Sequence, residues 1–367
     1  MTPCTPCLRR AALVGFLSPR IAGHLAGRRR AAQILALDDG ELVAAVGGGM
    51  KQAARRMLRE FDGERALARL AAAGLHGVCR HEPEYPSQLL ELVDPPALLH
   101  STASPARLAG LCGGPAAAVV GTRRASSYGL EVATALGRGL AGAGVAVVSG
   151  LALGIDAAAH RGALDAGGST VAVLGCGADV PYPRTNRALF ERIRASGAIV
   201  SELPPGARPA RWTFPARNRI MAGIASVTIV VEAAERSGSL ITVGFAQDLG
   251  RDVCAVPGRV TSRIAAGANQ LLLEGAHPVR GAADVLDVIF GAGGWEGAAP
   301  SRSAAAQPEL EPGLRAVLRA VEGGEPLDEA AESASMSAAG LRAALGRLEL
   351  LGLIRRDGLG DYERTAA

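Results

Sequence analysis

Ala116-Ala117-Ala118-Val119-Val120-Gly121-Thr122-Arg123-Arg124-Ala125-Ser126-Ser127-Tyr128-Gly129 is the stretch on which the reading of the whole chain turns. Five apolar residues without a charge run into a glycine, a hydroxyl and two arginines, and a segment of helical character follows to about residue 141. An unbroken apolar run is what a strand covered on both faces requires. A loop that leaves such a strand and enters a helix lies at the ligand crevice of an open α/β sheet, where main-chain N–H groups attract an anion. Gly121 allows a phosphate to come close, and Thr122 and Arg123 are placed to bind its oxygens; a plain tight turn is the competing reading. Neither G-x-G-x-x-G nor G-x-x-x-x-G-K-S/T occurs, so the loop is not a standard dinucleotide fingerprint or P-loop.

Working outward, similar runs recur at Val145–Val148, Val171–Leu174, Ile199–Val200, Val227–Val231 and Val253–Val256. Helical segments fall between them near 127–141, 155–166, 186–195, 217–223 and 239–249. Strand and helix alternating at this spacing predict βαβ units with right-handed crossovers, hence an α/β fold with a parallel or mostly parallel, extended Rossmann-like sheet over residues 77–290. Residues 1–76 are rich in Ala, Leu and Arg, with breaks expected at Gly23, Asp38-Asp39-Gly40, Gly47-Gly48-Gly49 and Gly74. They predict a small helical domain of SAM or helix-hairpin-helix type, although any compact bundle fits the same pattern. Residues 291–312 read as a linker, and 313–367 as three helices plus a strand-turn signal, a winged-helix-like domain.

Further loops at the predicted strand ends carry polar groups. After the second strand, Asp156 and His160 stand four apart on a helix, a spacing that suits an acid–base pair or, equally, a capped helix with a satisfied imidazole. The loop 175–186 offers Tyr182 for base stacking and Arg184 for a phosphate. Arg217, Asn218 and Arg219 open the next helix and can aim cations at the crevice, or one arginine can pair with Glu202 or Glu232. Ser237, Gly238, Ser239 and Thr242 form a small-residue turn able to cradle a second anion. Four or five such loops at one sheet edge, without a nucleophile or metal cluster, describe a polyanion-binding surface.

Composition agrees with this and narrows it. The 367 residues are 49% hydrophobic and only 3% aromatic, with 48 glycines, so packing relies on small aliphatics and close backbone contact. The net charge of +4 permits a polyanion partner without requiring one. Lys51 is the only lysine among 39 basic residues, which excludes Schiff-base or Walker-lysine chemistry elsewhere. Cys4 and Cys7 form a C-x-x-C with no second pair nearby in sequence; no metal and no cofactor are therefore expected, and the six cysteines are expected to be free thiols of a reducing compartment. Arg9-Arg10 precedes an apolar run that stops at Ser18-Pro19-Arg20, so neither an export signal nor a membrane segment is expected and the protein is read as cytoplasmic.

The strings VVGTRRASSYG, VVSGLALGIDAAAHRGAL, TVAVLGCGADVPYP, FPARNRIMAG, VVEAAERSGSLIT and VCAVPG followed by GANQLL, in this order, resemble the DNA-processing protein A (DprA/Smf) family over about residues 77–290. The resemblance implies a non-enzymatic, single-stranded-DNA-binding protein that dimerises through its Rossmann-like domain and loads the RecA recombinase during natural transformation. By analogy it assigns Gly121, Thr122 and Arg123 to a phosphate loop, Arg184 to a second basic contact, and Arg217, Asn218, Arg219, Ser237, Gly238, Ser239 and Thr242 to two family motifs. Ser169 stands where many relatives carry a basic residue. Two other classes compete. A nucleoside-monophosphate phosphoribohydrolase would share the core, but its expected catalytic glutamate is missing from the turn Ser237–Thr242. A structural adaptor acting through the C-terminal domain would bind its partner without the central arginines.

Overall fold

A computed structural model describes residues 2–25, 32–295, 310–323, 325–334, 336–356 and 362–364. They form two compact units, Met1–Pro300 and Ser301–Ala367.

The first unit is mixed α/β. Its strands are β1 (His76–Cys79), β2 (Leu98–Ser101), β3 (Ala116–Val120), β4 (Ala146–Ser149), β5 (Thr170–Val173), β6 (Ala198–Ser201), β7 (Val227–Val230), β8 (Asp252–Ala255) and β9 (His277–Pro278). They make one nine-stranded sheet in the order β1-β2-β6-β5-β4-β3-β7-β8-β9. From β6 to β9 every pairing is parallel, whereas β1 and β2 extend the edge antiparallel. The apolar runs read from sequence fall on β3 to β8, and each of β3 to β7 is buried along its whole length.

Both faces are covered, which is why these strands need no polar alternation. On one face Ala117, Val119 and Val147 meet Leu136 and Leu140 of the helix Ser127–Gly142 and Ala159 of the helix Ile155–Asp165. On the other, Val120, Val148 and Val173 pack with Ile220 and Met221 of the helix Thr213–Ile224 and Val243 of the helix Leu240–Asp248.

The N-terminal helices share this packing. Cys7, Leu8, Ala11 and Leu70 join one apolar cluster with Leu174, Phe190, Ile193 and Ile199. One expectation is corrected here: Gly23 does not break the first helix, which runs Thr5–Leu25. Leu13, Val14, Leu17 and Ile21 bury one stripe of it, and that burial outweighs the glycine's weak helix preference. Among the described residues no helix is long and apolar enough to cross a membrane.

In the second unit the helices Pro312–Gly323, Leu327–Ser333 and Ala338–Leu350 precede β10 (Ile354–Arg356), which pairs antiparallel with β11 (Tyr362–Arg364). Leu314, Val317, Leu345, Leu348 and Ile354 form its core. Most of the expected linker, residues 296–309, and the expected turn at 357–361 lie outside the described residues.

Candidate functional site

Strand order reverses at β3: the chain proceeds through β4, β5 and β6 on one side, then returns to place β7 on the other. Loops leaving the carboxyl ends of β3 and β7 diverge there and open a crevice of about 670 Å³. Its walls bring together Gly121, Thr122, Arg123, Tyr182, Arg217, Asn218, Ser237, Gly238, Ser239 and Thr242, all anticipated from sequence.

The seam is drawn tight by backbone. Thr122 N donates to Glu232 O at 2.7 Å, and Thr122 O accepts from Ile155 N at 3.3 Å. A side chain at position 121 would meet Ile155 Cγ1 at 2.6 Å and Glu232 O at 2.8 Å, so only glycine fits. Beyond this turn the helix Ser127–Gly142 is capped by Ser126, whose Oγ accepts from Gly129 N at 3.0 Å. Ser126 also donates its N–H and hydroxyl to the buried Glu232 carboxylate, at 2.9 and 2.5 Å. The helix start expected to offer its amides to an incoming anion is thus already occupied by an internal one.

Positive charge at the mouth comes from side chains instead. Among the described residues, Arg123, Arg124, Arg211 and Arg217 line the crevice against a single carboxylate, Asp156. Arg123 is exposed and lies over the Phe214 ring, 5.2 Å from its centroid. The Tyr182 ring lies 5.7 Å from that of Phe214, tilted by 34°. Cation, ring and ring therefore form a continuous strip at the rim, with Tyr182 38% exposed. Sequence reasoning missed Arg211 and Phe214; their signal was position, just before and within the FPARNR stretch that opens the next helix.

The two arginines of that stretch divide. Arg217 is buried in the crevice floor, donating to Gly150 O at 2.6 Å, to Val173 O, and from Nε to Asn218 Oδ1 at 3.0 Å. It thereby ties together the ends of β4 and β5, and a methyl group at Gly150 would collide with its guanidinium. Burial pulls the Arg217 pKa below its ordinary value, partly countered by Asp156, 3.8 Å away. Asn218 Nδ2 donates to Gly238 O at 3.2 Å, holding the turn that carries Ser237 and Ser239. Their hydroxyls lie 2.7 Å apart, and the buried Thr242 Oγ1 on the same wall has no hydrogen-bond partner among the described residues.

Arg219 turns away. It is fully buried, with Nε 2.9 Å from Asp94 and Nη2 bonded to both oxygens of Glu202 at 2.8 and 2.9 Å. Burial pushes the Asp94 carboxyl up to about 6 despite the pull of Arg219. The expectation that Arg219 faces a phosphate is therefore corrected, because Nε and Nη2 are committed to internal carboxylates and Nη1 donates to Ala216 O at 3.0 Å. Glu202 is the pairing partner, and Glu232 serves Ser126. Arg184 is exposed at the start of the turn Arg184–Asn186 and does not line the crevice.

Asp156 and His160 do not act together. Asp156 accepts from Gly150 N at 3.1 Å and Ala152 N at 3.3 Å. His160 Nδ1 lies 2.7 Å from Thr170 Oγ1, which itself donates to Val147 O. Burial, with Arg217 and Arg161 nearby, holds the His160 pKa down at about 3.

The sequence shows Cys4 and Cys7 with no ligand pair nearby, but the fold supplies neighbours. Cys4 and Cys7 do have further potential ligands, Cys79 and His81, brought to them by the fold; the four ligand atoms lie within 4.8 Å of one another.

Comparison with known proteins follows the same core. The model of the family described as DNA recombination-mediator protein A matches residues 76–290. The chain is 40% identical over 383 residues to a putative DNA processing protein DprA of Mycobacterium tuberculosis, covering 99% of this chain and 92% of that protein. It resembles the X-ray structure of DNA processing protein A from Streptococcus pneumoniae, with a TM-score of 0.63, 32% identity and coverage of 79% of this chain and 99% of that one. A second solved structure, of DNA processing protein A from Helicobacter pylori and described by its single-stranded DNA binding mode, gives a TM-score of 0.52 at 28% identity, covering 59% of this chain and 96% of that one.

Proposed function

Because this chain belongs to the DNA recombination-mediator protein A family, known also as DNA processing protein A, we propose that it binds single-stranded DNA in the crevice between β3 and β7 and leaves the strand chemically unchanged. The observation that carries this reading is the strip of Arg123, Phe214 and Tyr182 at the crevice mouth. Single strands are held by cations on their phosphates and rings against their bases, and this strip offers both side by side. Arg123, Arg124 and Arg211 neutralise phosphates, Tyr182 and Phe214 stack bases, and Thr122, Ser237, Ser239 and Thr242 supply hydroxyls. Gly121 and Gly238 let the strand approach the backbone. Arg217 and Asn218 shape and charge the floor, and Arg184 meets the strand beyond the crevice.

A duplex is too stiff and too wide to lay its bases on this strip, so single strands are preferred. The same reading makes the protein a homodimer through the Rossmann-like unit and a loader of RecA recombinase in the cytoplasm, with the C-terminal unit a winged helix. A phosphoribohydrolase is disfavoured, since no histidine, cysteine or free carboxylate lines the crevice among the described residues.

The test is anisotropy of labelled oligonucleotides, single-stranded against duplex, across a salt series. Single-strand affinity falls with a log–log slope of about −0.7 per phosphate neutralised. Equal binding of both forms, or free base released from nucleoside monophosphates, would sink the proposal. RecA loading is tested separately by the rate of filament nucleation on single strands with and without the protein.

A further inference from the structure

We propose that Cys4, Cys7, Cys79 and His81 form a tetrahedral zinc site that staples the first helix to the edge of the sheet. Two short sequence signatures supply it. Cys4-Thr5-Pro6-Cys7 places one thiol just before the helix Thr5–Leu25 and the next in its first turn. Cys79-Arg80-His81 places the other two ligands at the end of β1 and in the turn after it. The pairs are separated by more than seventy residues and meet only through the fold.

Their spacing is that of a coordination shell. Zinc–sulfur bonds of about 2.3 Å and zinc–nitrogen bonds of about 2.0–2.1 Å give tetrahedral edges of roughly 3.8 Å between sulfurs and roughly 3.5 Å from sulfur to nitrogen. Cys4 Sγ and Cys7 Sγ each lie 3.4 Å from the same nitrogen, His81 Nδ1. Cys79 Sγ lies 4.0 Å from Cys4 Sγ.

The supports are already rigid. Cys7 N and Leu8 N both donate to Cys4 O at 3.1 Å, fixing the C-x-x-C turn. Glu82 holds the second turn, accepting from Cys79 N at 2.7 Å and donating to Cys79 O at 2.9 Å. A disulfide would use two sulfurs and leave the third thiol and the imidazole without a part. Four protein ligands close the shell, which marks a structural rather than a catalytic metal. Binding as three thiolates and a neutral imidazole releases three thiol protons to solvent and changes no oxidation state.

The experiment uses the full chain, with any affinity tag removed, isolated under reductant. Mass spectrometry of metal content finds one zinc per chain. Cobalt replacing zinc gives the intense visible bands of a tetrahedral ion and the near-ultraviolet band of thiolate-to-cobalt charge transfer. Both are lost in Cys79→Ser. His81→Ala, at an exposed position that leaves folding intact by circular dichroism, weakens zinc binding by more than the roughly tenfold to hundredfold that loss of an outer-shell partner costs. His81→Cys restores it with a stronger charge-transfer band, while Cys112→Ser, elsewhere in the core, retains the metal. Absence of cobalt bands in the reduced protein, or bands unchanged by both Cys79→Ser and His81→Ala, overturns the proposal.

Discussion

Ser126 and Glu232, 106 residues apart in sequence, are joined by two hydrogen bonds that bridge the β3 and β7 sides of the crevice. The carboxylate sits at the helix start, so on the proposed reading the rim takes its anion affinity from arginines. Glu232→Gln keeps the shape but cannot accept from both donors while its amide nitrogen needs a partner. Stability falls by about 1–3 kcal/mol in urea unfolding, and oligonucleotide affinity rises because one buried negative charge is gone. Loss of single-strand binding in a folded Glu232→Gln protein would mean that the carboxylate organises the site and does not merely fill it.

The strip at the mouth separates stacking from charge. Tyr182→Ala removes a ring and weakens single-strand binding by about 1–3 kcal/mol with little change in salt slope, whereas Tyr182→Phe binds as wild type does. Arg123→Ala lowers affinity for all base sequences alike and makes the slope shallower by about 0.7. Anisotropy titrations at several salt concentrations distinguish the two patterns; identical slopes for all three variants would contradict the division.

Arg219 is a matter of stability. Arg219→Met strands Asp94 and Glu202 without a counter-charge, and chemical unfolding shows a loss of about 3–5 kcal/mol. Arg219→Lys keeps a cation but not the fork, and folds with a smaller loss. Its oligonucleotide affinity stays within about twofold of wild type, because the side chain is fully buried among internal partners. A tenfold loss in the folded lysine variant would return Arg219 to the binding surface.

His160 makes stability depend on pH. Its folded pKa of about 3 lies below the ordinary 6.5, so as pH falls below 6.5 the unfolded chain takes up a proton that the native protein refuses. Stability is fully present above that value and declines as the solution is acidified. Asp94 and Asp156, both raised chiefly by burial, act in the opposite direction. Comparison with His160→Asn cancels them, and between pH 7.5 and pH 5 wild type loses about 2 kcal/mol more than the variant. Parallel urea midpoints for the two proteins would show that the imidazole is charged in the fold.

The strands β3 to β8 were legible because double-sided burial writes itself as an uninterrupted apolar run. β1 and β2 were not: His76-Gly77-Val78-Cys79 begins exposed, and Leu98-Leu99-His100-Ser101 ends in two polar residues whose burial no local pattern announces. The sidedness of Arg217 and Arg219 was equally hidden. Residues two apart on a helix point in different directions, but the helix Thr213–Ile224 is buried almost all round, so nothing in its sequence says which arginine meets the crevice. Loop chemistry after β3 and after β7 was readable, since glycine and hydroxyls at strand ends restrict what can happen there. Glu232 as the cap of a distant helix and Cys79-x-His81 as the complement of Cys4-x-x-Cys7 depend on contacts that only the completed topology creates.

Gly150 and Arg217 carry a corollary for how such a chain drifts. Any side chain gained at position 150 evicts the guanidinium, and any loss of the arginine frees the two strand ends it clasps. Either change alone costs the hydrogen bonds that hold those ends, so the pair behaves as an interlock, and a library randomised at both positions should be enriched in matched combinations.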